Sequence, residues 1–210
     1  MTKSLILYGE PGWGSAIVEA QLAWYGLDFT FIHTGDLFTS AEARAALERV
    51  NPLAQVPTLV LEDGTIMTES AAITLHLADV TGSDDLVPPP GHPSRPAFLR
   101  WLIFIVANIY PTYTYADDPS RFVPDEAARD GFKGAVDDYA KRLYGQLEDA
   151  ATSPWFLGAR FSALDIYITV LTHWRPRQKW FTATAPKLAA IARQAEELPP
   201  LTEVWSRNFP

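Results

Sequence analysis

Residues 51–70 read Asn-Pro-Leu-Ala-Gln-Val-Pro-Thr-Leu-Val-Leu-Glu-Asp-Gly-Thr-Ile-Met-Thr-Glu-Ser, and this stretch decides the fold of the first part of the chain. The apolar and partly β-branched run 58–61 predicts a short buried strand. Asp63-Gly64 is the strongest short-range signal for a hairpin turn, so residues 65–67 are expected to return as an antiparallel strand. An apolar helical pattern begins directly after Ser70. One hairpin therefore delivers the chain to the start of a helix.

The helix start at Ser70 predicts a binding site for a small charged ligand. The first turn of a helix has unpaired backbone N–H groups, and its dipole favours an anion there. Ser70 adds a hydroxyl, and Glu69 adds a carboxylate that can hold an ammonium group. A cis Val56–Pro57 bond would turn the Val56 backbone N–H and C=O towards a peptide ligand. Each feature also has an ordinary interpretation as a turn proline, a hairpin or a helix cap.

The flanking residues predict two domains. Strands at 4–8 and 29–33 alternate with helices at 15–25 and 40–49, so the order up to the helix at 70–79 is βαβαββα. This order is typical of an α/β layer fold. Residues 82–96 are rich in proline and predict a linker. The segments beyond it are helical, so the predicted domains are 1–81, a linker at 82–94 and a helical domain at 95–210; the helices are expected at 94–109, 125–150, 162–174 and 186–197.

The composition limits the chemistry of the protein. The formal net charge of -8 argues against a nucleic-acid partner, because no basic stripe exists to neutralise phosphates. The chain has no cysteine, which excludes disulfides, cysteine-liganded zinc and a cysteine nucleophile. Its four histidines show no metal-ligand spacing, so no metal is expected. The N-terminus lacks the apolar core of a signal peptide and no run reaches transmembrane length, so we expect a cytoplasmic protein without membrane contact.

A helix-capping signal stands out in the second half. Ser162-Ala163-Leu164-Asp165 places an acid three residues after a capping serine, which predicts a capping box. Phe161 and Ile166 stand where a hydrophobic staple belongs. The motif is expected to fix how the chain enters a buried helix.

These motifs resemble those of the cytosolic glutathione S-transferase family. Val56-Pro57-Thr58-Leu59, the Asp-Gly hairpin and residues 69–73 are similar to its glutathione-binding half, and the capping box is similar to a motif of its helical half. The resemblance implies a thioredoxin-like N-terminal domain, an all-α C-terminal domain and glutathione as co-substrate. It also implies a cis Pro57, a γ-glutamyl site at Glu69 and Ser70, a C2 homodimer and a role in detoxification. Gln55 is a candidate partner for the glycine-end carboxylate.

Such an enzyme must lower the pKa of a thiol, which is ordinarily about 8.5. Ser15 places a hydroxyl at a helix start after the glycine-rich loop 10–14, and this arrangement favours a thiolate. We expect Ser15 to be the donor, with the Gly14 or Trp13 N–H as the alternative. The Pro-Gly-x-x-Ser pattern resembles bacterial transferases in which a cysteine precedes the serine, and Gly14 occupies the place of that cysteine. The alternative, purely structural interpretation is that Ser15 only caps the helix.

The pocket for the second substrate is expected in the helical half. Trp101, Phe104, Ile105 and Asn108 fall at helical spacing on one face, and Tyr113 follows; this pattern is also typical of a core. Trp13 is a further candidate, because a tryptophan in this loop has no obvious core to enter. Such a pocket suits flat, apolar electrophiles.

Three functions remain open from the sequence. The first is a glutathione-dependent transferase that stabilises the thiolate for attack on an apolar electrophile. The second is a glutathione-dependent peroxidase or disulfide reductase, in which bound glutathione supplies the sulfur. The third is a non-catalytic module that binds glutathione or another ligand on the same fold.

Overall fold

The computed structural model describes residues 4–210, so residues 1–3 of the predicted first domain lie outside the described residues. The chain divides into two compact units. The first unit extends to Val87 and includes residues 193–210, and the second comprises Pro88–Ala192. Residues 193–210, expected in the helical domain, are thus part of the first unit. The linker boundaries at residues 82 and 94 stay a prediction.

The first unit contains a four-stranded mixed sheet, and its elements follow the predicted order βαβαββα. Its strands are β1 (Leu5–Gly9), β2 (Phe29–His33), β3 (Thr58–Val60) and β4 (Ile66–Met67), and its first helices are α1 (Ser15–Trp24), α2 (Ala41–Glu48) and α3 (Ser70–Thr81). The spatial order is β2-β1-β3-β4, with β1 and β2 parallel and the other pairs antiparallel. This confirms the predicted thioredoxin-like α/β fold.

The strand register brings three loops to one edge of the sheet. Tyr8, near the end of β1, pairs with Thr58 at the start of β3. Leu59 pairs with Met67, the last residue of β4. The chain therefore leaves β1, enters β3 and leaves β4 at the same edge, and both α1 and α3 begin shortly after it.

The core of the first unit lies between this sheet and the helices α1 and α3. Its fully buried members come from two strands and two helices: Leu7, Val18, Leu22, Leu59, Ile73 and Leu77. The α1 helix is apolar almost all round, so it is buried along most of its length. Within this core the Gln21 amide donates to the Thr74 hydroxyl at 3.0 Å and joins α1 to α3.

The regular elements of the second unit are helices, as the sequence predicts. They are α4 (Arg95–Phe104), α5 (Tyr110–Asp117), α6 (Glu126–Ala150), α7 (Ala163–His173), α8 (Gln178–Thr184) and α9 (Pro186–Glu196), of which the residues from Arg193 on belong to the first unit. A last helix, α10 (Thr202–Asn208), also belongs to the first unit. Within residues 4–210, no helix is both long and apolar enough to cross a membrane.

The helical path continues beyond residue 109, where the sequence predicted the end of a helix. A π-helical turn over Ile105–Ile109 joins α4 to α5, and the Tyr110 N–H donates to the Ile105 carbonyl. Pro111 then lies in the first turn of α5, where an N–H is not needed. The proline is therefore accommodated at a new helix start.

The predicted capping box at the start of α7 is present. The Asp165 carboxylate is fully buried and accepts from the Ser162 N–H at 2.8 Å and from the Ser162 hydroxyl at 3.0 Å. It also accepts from the Phe156 N–H at 2.8 Å, which the sequence did not predict. Asp165 therefore ties the segment before α7 to the helix itself.

Asp165 makes the stability of the protein depend on pH. Burial raises the pKa of its carboxyl from 3.8 to about 6, although its hydrogen bonds oppose the rise. Between about pH 4 and pH 6 the folded protein therefore keeps a proton on Asp165 that the unfolded chain has released. Proton binding stabilises the folded state at low pH, and this stabilisation is lost as the pH rises from about 4 to about 6. Relative to Asp165→Asn, we expect the unfolding free energy of the wild type to fall by roughly 2–3 kcal/mol over that interval. Urea titrations at a series of pH values measure the difference; a difference independent of pH would contradict the assignment.

Candidate functional site

The loop between β1 and α1 is built around the backbone of Glu10. The Trp13 N–H donates to the Glu10 carbonyl at 3.1 Å and closes a turn. The α1 helix begins at Ser15, with Gly14 as N-cap and no side-chain capping bond. No acidic residue occupies its first turn, so the positive end of its dipole is not neutralised there.

The Ser15 hydroxyl is fully buried and engaged with this loop. It donates to the Glu10 carbonyl and accepts from the Glu10 N–H, both at 3.1 Å. A hydroxyl has one proton, so Ser15 must give up its bond to Glu10 in order to donate to a sulfur atom. Its predicted role as thiolate donor stays a prediction.

The backbone N–H groups at the start of α1 are a second possible set of donors to a sulfur atom. Among residues 4–210, no protein acceptor takes the N–H of Gly14 or of Ser15, whereas the next N–H, that of Ala16, donates to the Trp13 carbonyl at 3.0 Å. Two adjacent donors at a helix N-terminus form an anion-binding arrangement. The sequence left open the Gly14 or Trp13 N–H as the alternative donor; the Gly14 N–H is one of this pair, whereas the Trp13 N–H donates to the Glu10 carbonyl at 3.1 Å.

The start of α1 lies against the Val56–Pro57 segment. A Cβ atom added at Gly14 would lie 3.2 Å from the Val56 carbonyl oxygen and 3.5 Å from Pro57 Cδ. The Val56–Pro57 peptide bond is cis, as the resemblance implies. The structure thus brings Gly14, Val56 and Pro57 together.

The third predicted element, the start of α3, lies at the same edge. Met67, the last residue of β4, pairs with Leu59, and β3 begins at Thr58 directly after Val56–Pro57, so the segments Val56–Pro57 and Glu69–Ser70 both adjoin this edge of the sheet. Glu69 is exposed and has φ 63° and ψ 99°, a conformation that costs a non-glycine residue about 1–3 kcal/mol and that concentrates at functional sites. The Ser70 hydroxyl makes no hydrogen bond within the part of the chain that the structure describes.

Asn51 holds the Val56 segment in place, a role that the sequence does not indicate. Its buried amide donates to the Gln55 carbonyl at 3.1 Å and to the Thr58 hydroxyl at 3.0 Å. The Thr58 hydroxyl in turn donates to the Gln55 carbonyl at 2.8 Å. Gln55 itself is exposed, so its side chain is accessible at the site edge. The only sequence signal for Asn51 is its place between a helix end and a proline.

Trp13 is half-buried and does have a core to enter, contrary to the expectation. It packs on a small cluster whose buried members are Leu37, Leu47 and Ala54. Its ring also lies 5.1 Å from that of Phe38. Its contribution to an electrophile pocket stays a prediction.

The other predicted pocket residues are distributed within the second unit. Trp101 and Ile105 are buried, and Trp101 contacts the half-buried Phe104 with ring centroids 5.1 Å apart. Asn108 lines a cavity of about 370 Å³, and its amide donates to the Phe104 carbonyl at 3.2 Å. The remaining lining residues of this cavity are Ala107, Pro111, Thr112, Tyr115, Phe132, Ala135, Val136 and Tyr139.

Tyr113 belongs to a polar network. Its hydroxyl lies 2.6 Å from that of Tyr144 and donates to the Arg175 carbonyl at 2.7 Å. Burial raises the pKa of Tyr113, and the hydrogen bond with Tyr144 opposes the rise. The Arg175 guanidinium pairs with Asp117 at 2.5 Å and with Asp137 at 3.2 Å. This network fixes the tyrosine in its helical unit.

Gly9 is required by the close approach of α1 to the end of β1. An added Cβ would lie 2.6 Å from both Cβ and Oγ of Ser15 and 2.8 Å from the Phe31 ring. We therefore expect Gly9→Ala to displace the start of α1 and to lower the unfolding free energy by about 2 kcal/mol, as overpacking does. Chemical denaturation measures this. The exposed helical Gly131, which has nothing near an added Cβ, is the control, and Gly131→Ala is expected to stabilise slightly. Equal stability of Gly9→Ala and the wild type would contradict the packing argument.

Comparisons with known proteins bear on the family to which the chain belongs. A family described as glutathione S-transferase, N-terminal domain, matches residues 15–80. The chain is 40% identical over 203 residues to the uncharacterized GST-like protein YncG of Escherichia coli (strain K12), which covers 96% of this chain and 97% of that protein. It is 28% identical over 203 residues to glutathione S-transferase GstA of Escherichia coli O157:H7, which covers 95% and 96% respectively.

A solved structure agrees as well. The structure of a sphingomonad glutathione S-transferase complexed with glutathione matches with a TM-score of 0.75 and 27% identity, over 96% of this chain and 97% of that one. The fold, the motifs at residues 56–57 and 69–70 and the full-length similarity to YncG agree in one assignment. The chain belongs to the glutathione S-transferase family.

Proposed function

We propose that this protein is a glutathione-dependent transferase that stabilises the glutathione thiolate for attack on an apolar electrophile. The observation that carries the proposal is the pair of N–H groups of Gly14 and Ser15, which have no acceptor among the described residues and begin a helix beside Val56–Pro57. Such donors favour the thiolate over the thiol. The relatives named as glutathione S-transferases and the glutathione complex support this reaction.

The peptide part, the glycine end and the γ-glutamyl end of glutathione each have a proposed partner in the protein. The Val56 backbone is the proposed partner of the peptide part of glutathione, and Gln55 that of its glycine-end carboxylate. Glu69 and Ser70 are proposed to hold the γ-glutamyl end, because a carboxylate pairs with the α-ammonium group and a helix start with the α-carboxylate. The protein forms no covalent intermediate in this mechanism; it holds the thiolate and lets it attack.

Binding and turnover test the proposal. Glutathione is titrated into the protein while tryptophan fluorescence is recorded, and turnover of a halonitrobenzene is compared with turnover of a hydroperoxide. We expect saturable binding and faster turnover of the aryl halide. Faster turnover of the hydroperoxide would favour the peroxidase or disulfide-reductase alternative. Binding without turnover of either would favour the non-catalytic module.

The Ser15→Ala variant distinguishes the two candidate donors to the sulfur, the Ser15 hydroxyl and the backbone N–H groups of Gly14 and Ser15. If the backbone N–H groups stabilise the sulfur, this variant retains a lowered pKa in the pH–rate profile of kcat. If the Ser15 hydroxyl does so, the profile shifts towards the ordinary thiol pKa of about 8.5. Circular dichroism of the variant checks that loss of the Glu10 contacts leaves the fold intact.

We also propose that the protein is a cytoplasmic homodimer, in which the first unit packs on the partner's helices. Large apolar side chains are exposed on both units, including Phe38, Leu53 and Val80 on the first and Ile103 and Phe122 on the second. Dimer formation would remove such side chains from water, which is favourable. Sedimentation equilibrium tests the oligomeric state, and a monomer at micromolar concentration would contradict it.

A further inference from the structure

The last helix of the chain is hydrogen-bonded to the loop that precedes α1. Asn208, at the end of α10 and 5% exposed, accepts from the Gly12 N–H at 2.9 Å. Its amide nitrogen donates to the Glu19 carboxylate at 2.8 Å and to the Val204 carbonyl at 2.9 Å. The reverse amide orientation would set the Asn208 oxygen against two acceptors, so these partners fix the side chain.

The Glu19 carboxylate on α1 is a second point at which α10 is bound. This carboxylate, one turn after Ser15, is fully buried, and a buried charge must be paired. α10 supplies both of its partners, the Arg207 guanidinium and the Asn208 amide. The end of the chain is therefore fastened to α1 beside the helix start that holds the thiolate donors.

The position of the loop at Gly12 depends directly on Asn208. Gly12 has φ +79°, and an added Cβ would lie 3.2 Å from the Asn208 carbonyl oxygen. Only Trp13 separates Gly12 from Gly14, whose N–H is one of the two proposed thiolate donors. A shift of Gly12 therefore moves that donor, and the strength of a hydrogen bond falls steeply with misalignment.

We propose that Asn208 is a positioning residue for the thiolate site, which holds Gly12 so that the Gly14 and Ser15 N–H groups point at the sulfur. This inference rests on the proposed function for its catalytic consequence. The contacts proposed for the rest of glutathione come from residues 55–57 and 69–70, none of which belongs to α10. Loss of the Asn208 bond therefore acts on the sulfur more than on the affinity.

The variants are chosen to separate this bond from the general stability of α10. Asn208→Ala removes the bond to Gly12 and the bond to Glu19. Asn208→Ser keeps a hydroxyl near Glu19 but is too short to hold both partners, and it serves if the alanine variant does not fold. Arg207→Ala weakens the Glu19 contact while it leaves the Gly12 acceptor in place. Ser206→Ala is the control, because Ser206 is exposed and its hydroxyl donates only to the Thr202 carbonyl.

Hydrogen exchange of the ligand-free protein tests the positioning itself. We expect the amides of Gly12 and Trp13 to exchange about tenfold faster in the Asn208 variants, because one partly buried hydrogen bond is lost. Exchange there is expected to stay within about twofold of the wild type in Arg207→Ala and Ser206→Ala. Unchanged exchange in the Asn208 variants, or an equal increase in Arg207→Ala, would overturn the inference.

Glutathione then tests the catalytic consequence. In the Asn208 variants we expect the Kd for glutathione to change less than about threefold, while kcat falls about tenfold and the pKa of the bound thiol rises towards about 8.5. Faster exchange with an unchanged thiol pKa would overturn the catalytic role. A wild type that does not bind glutathione would instead refute the proposed function, and the exchange measurement would still decide the positioning.

Discussion

Replacement of Asp165 by alanine is expected to lower the unfolding free energy by about 4 kcal/mol, which is a large share of the 5–15 kcal/mol typical of a folded protein. The side chain is fully buried and accepts three hydrogen bonds, from the Phe156 N–H and from the N–H and hydroxyl of Ser162. Truncation leaves these donors without their acceptor in a buried environment. Each unsatisfied buried group costs roughly 1–3 kcal/mol, and the cavity adds to the loss.

Urea denaturation at pH 7, followed by circular dichroism, measures this loss. Asp149→Ala is the control, because Asp149 is exposed on α6 and such substitutions usually change stability by less than about 0.5 kcal/mol. An Asp165→Ala protein within about 1 kcal/mol of the wild type would show that the capping box does not fix the entry to α7.

The Glu69→Gln variant is expected to bind glutathione roughly 10- to 100-fold more weakly than the wild type, with little change in stability. Glu69 is exposed, so the folded protein does not depend on its charge. A glutamine keeps the size of the side chain but loses the charge-assisted hydrogen bond to the ligand ammonium, which is worth about 1.5–3 kcal/mol.

Isothermal titration calorimetry of both proteins with glutathione measures the effect. Glu62→Gln in the hairpin is the matched control, because Glu62 is also exposed and the proposal gives it no ligand contact. A glutathione analogue without the α-amino group sharpens the test, since its loss of affinity and that of Glu69→Gln should not add if the two groups bind each other. Additive losses, or equal affinity of Glu69→Gln and the wild type, would contradict the pairing.

The parts of the fold that the sequence predicts are those with local signals. The Asp63-Gly64 turn, the apolar run before it and the helix start at Ser70 are encoded within a few residues of one another. The same holds for the capping box of α7, because a capping serine and its acid are three residues apart. Such features form from neighbouring residues, so composition and spacing were sufficient to place them.

The parts that the sequence did not predict depend on partners far along the chain or on details of packing and local helix geometry. Asn208 contacts Gly12 across 196 residues, and no spacing rule connects the two. The bond between the Ser15 hydroxyl and the Glu10 backbone is local, but it depends on how tightly α1 approaches Gly9, which packing decides. The continuation of helix beyond Pro111 required a π-helical turn that no sequence pattern indicated.

The pKa of the thiol in bound glutathione tests the central claim most directly. An ultraviolet titration of the wild-type complex, with thiolate absorbance as the signal, gives this value. If two helix starts and the Val56 backbone together hold one tripeptide, glutathione binds saturably. Its thiol pKa then lies at least about one pKa unit below the ordinary value near 8.5. No binding at millimolar glutathione, or a bound thiol that titrates like the free one, would contradict the account.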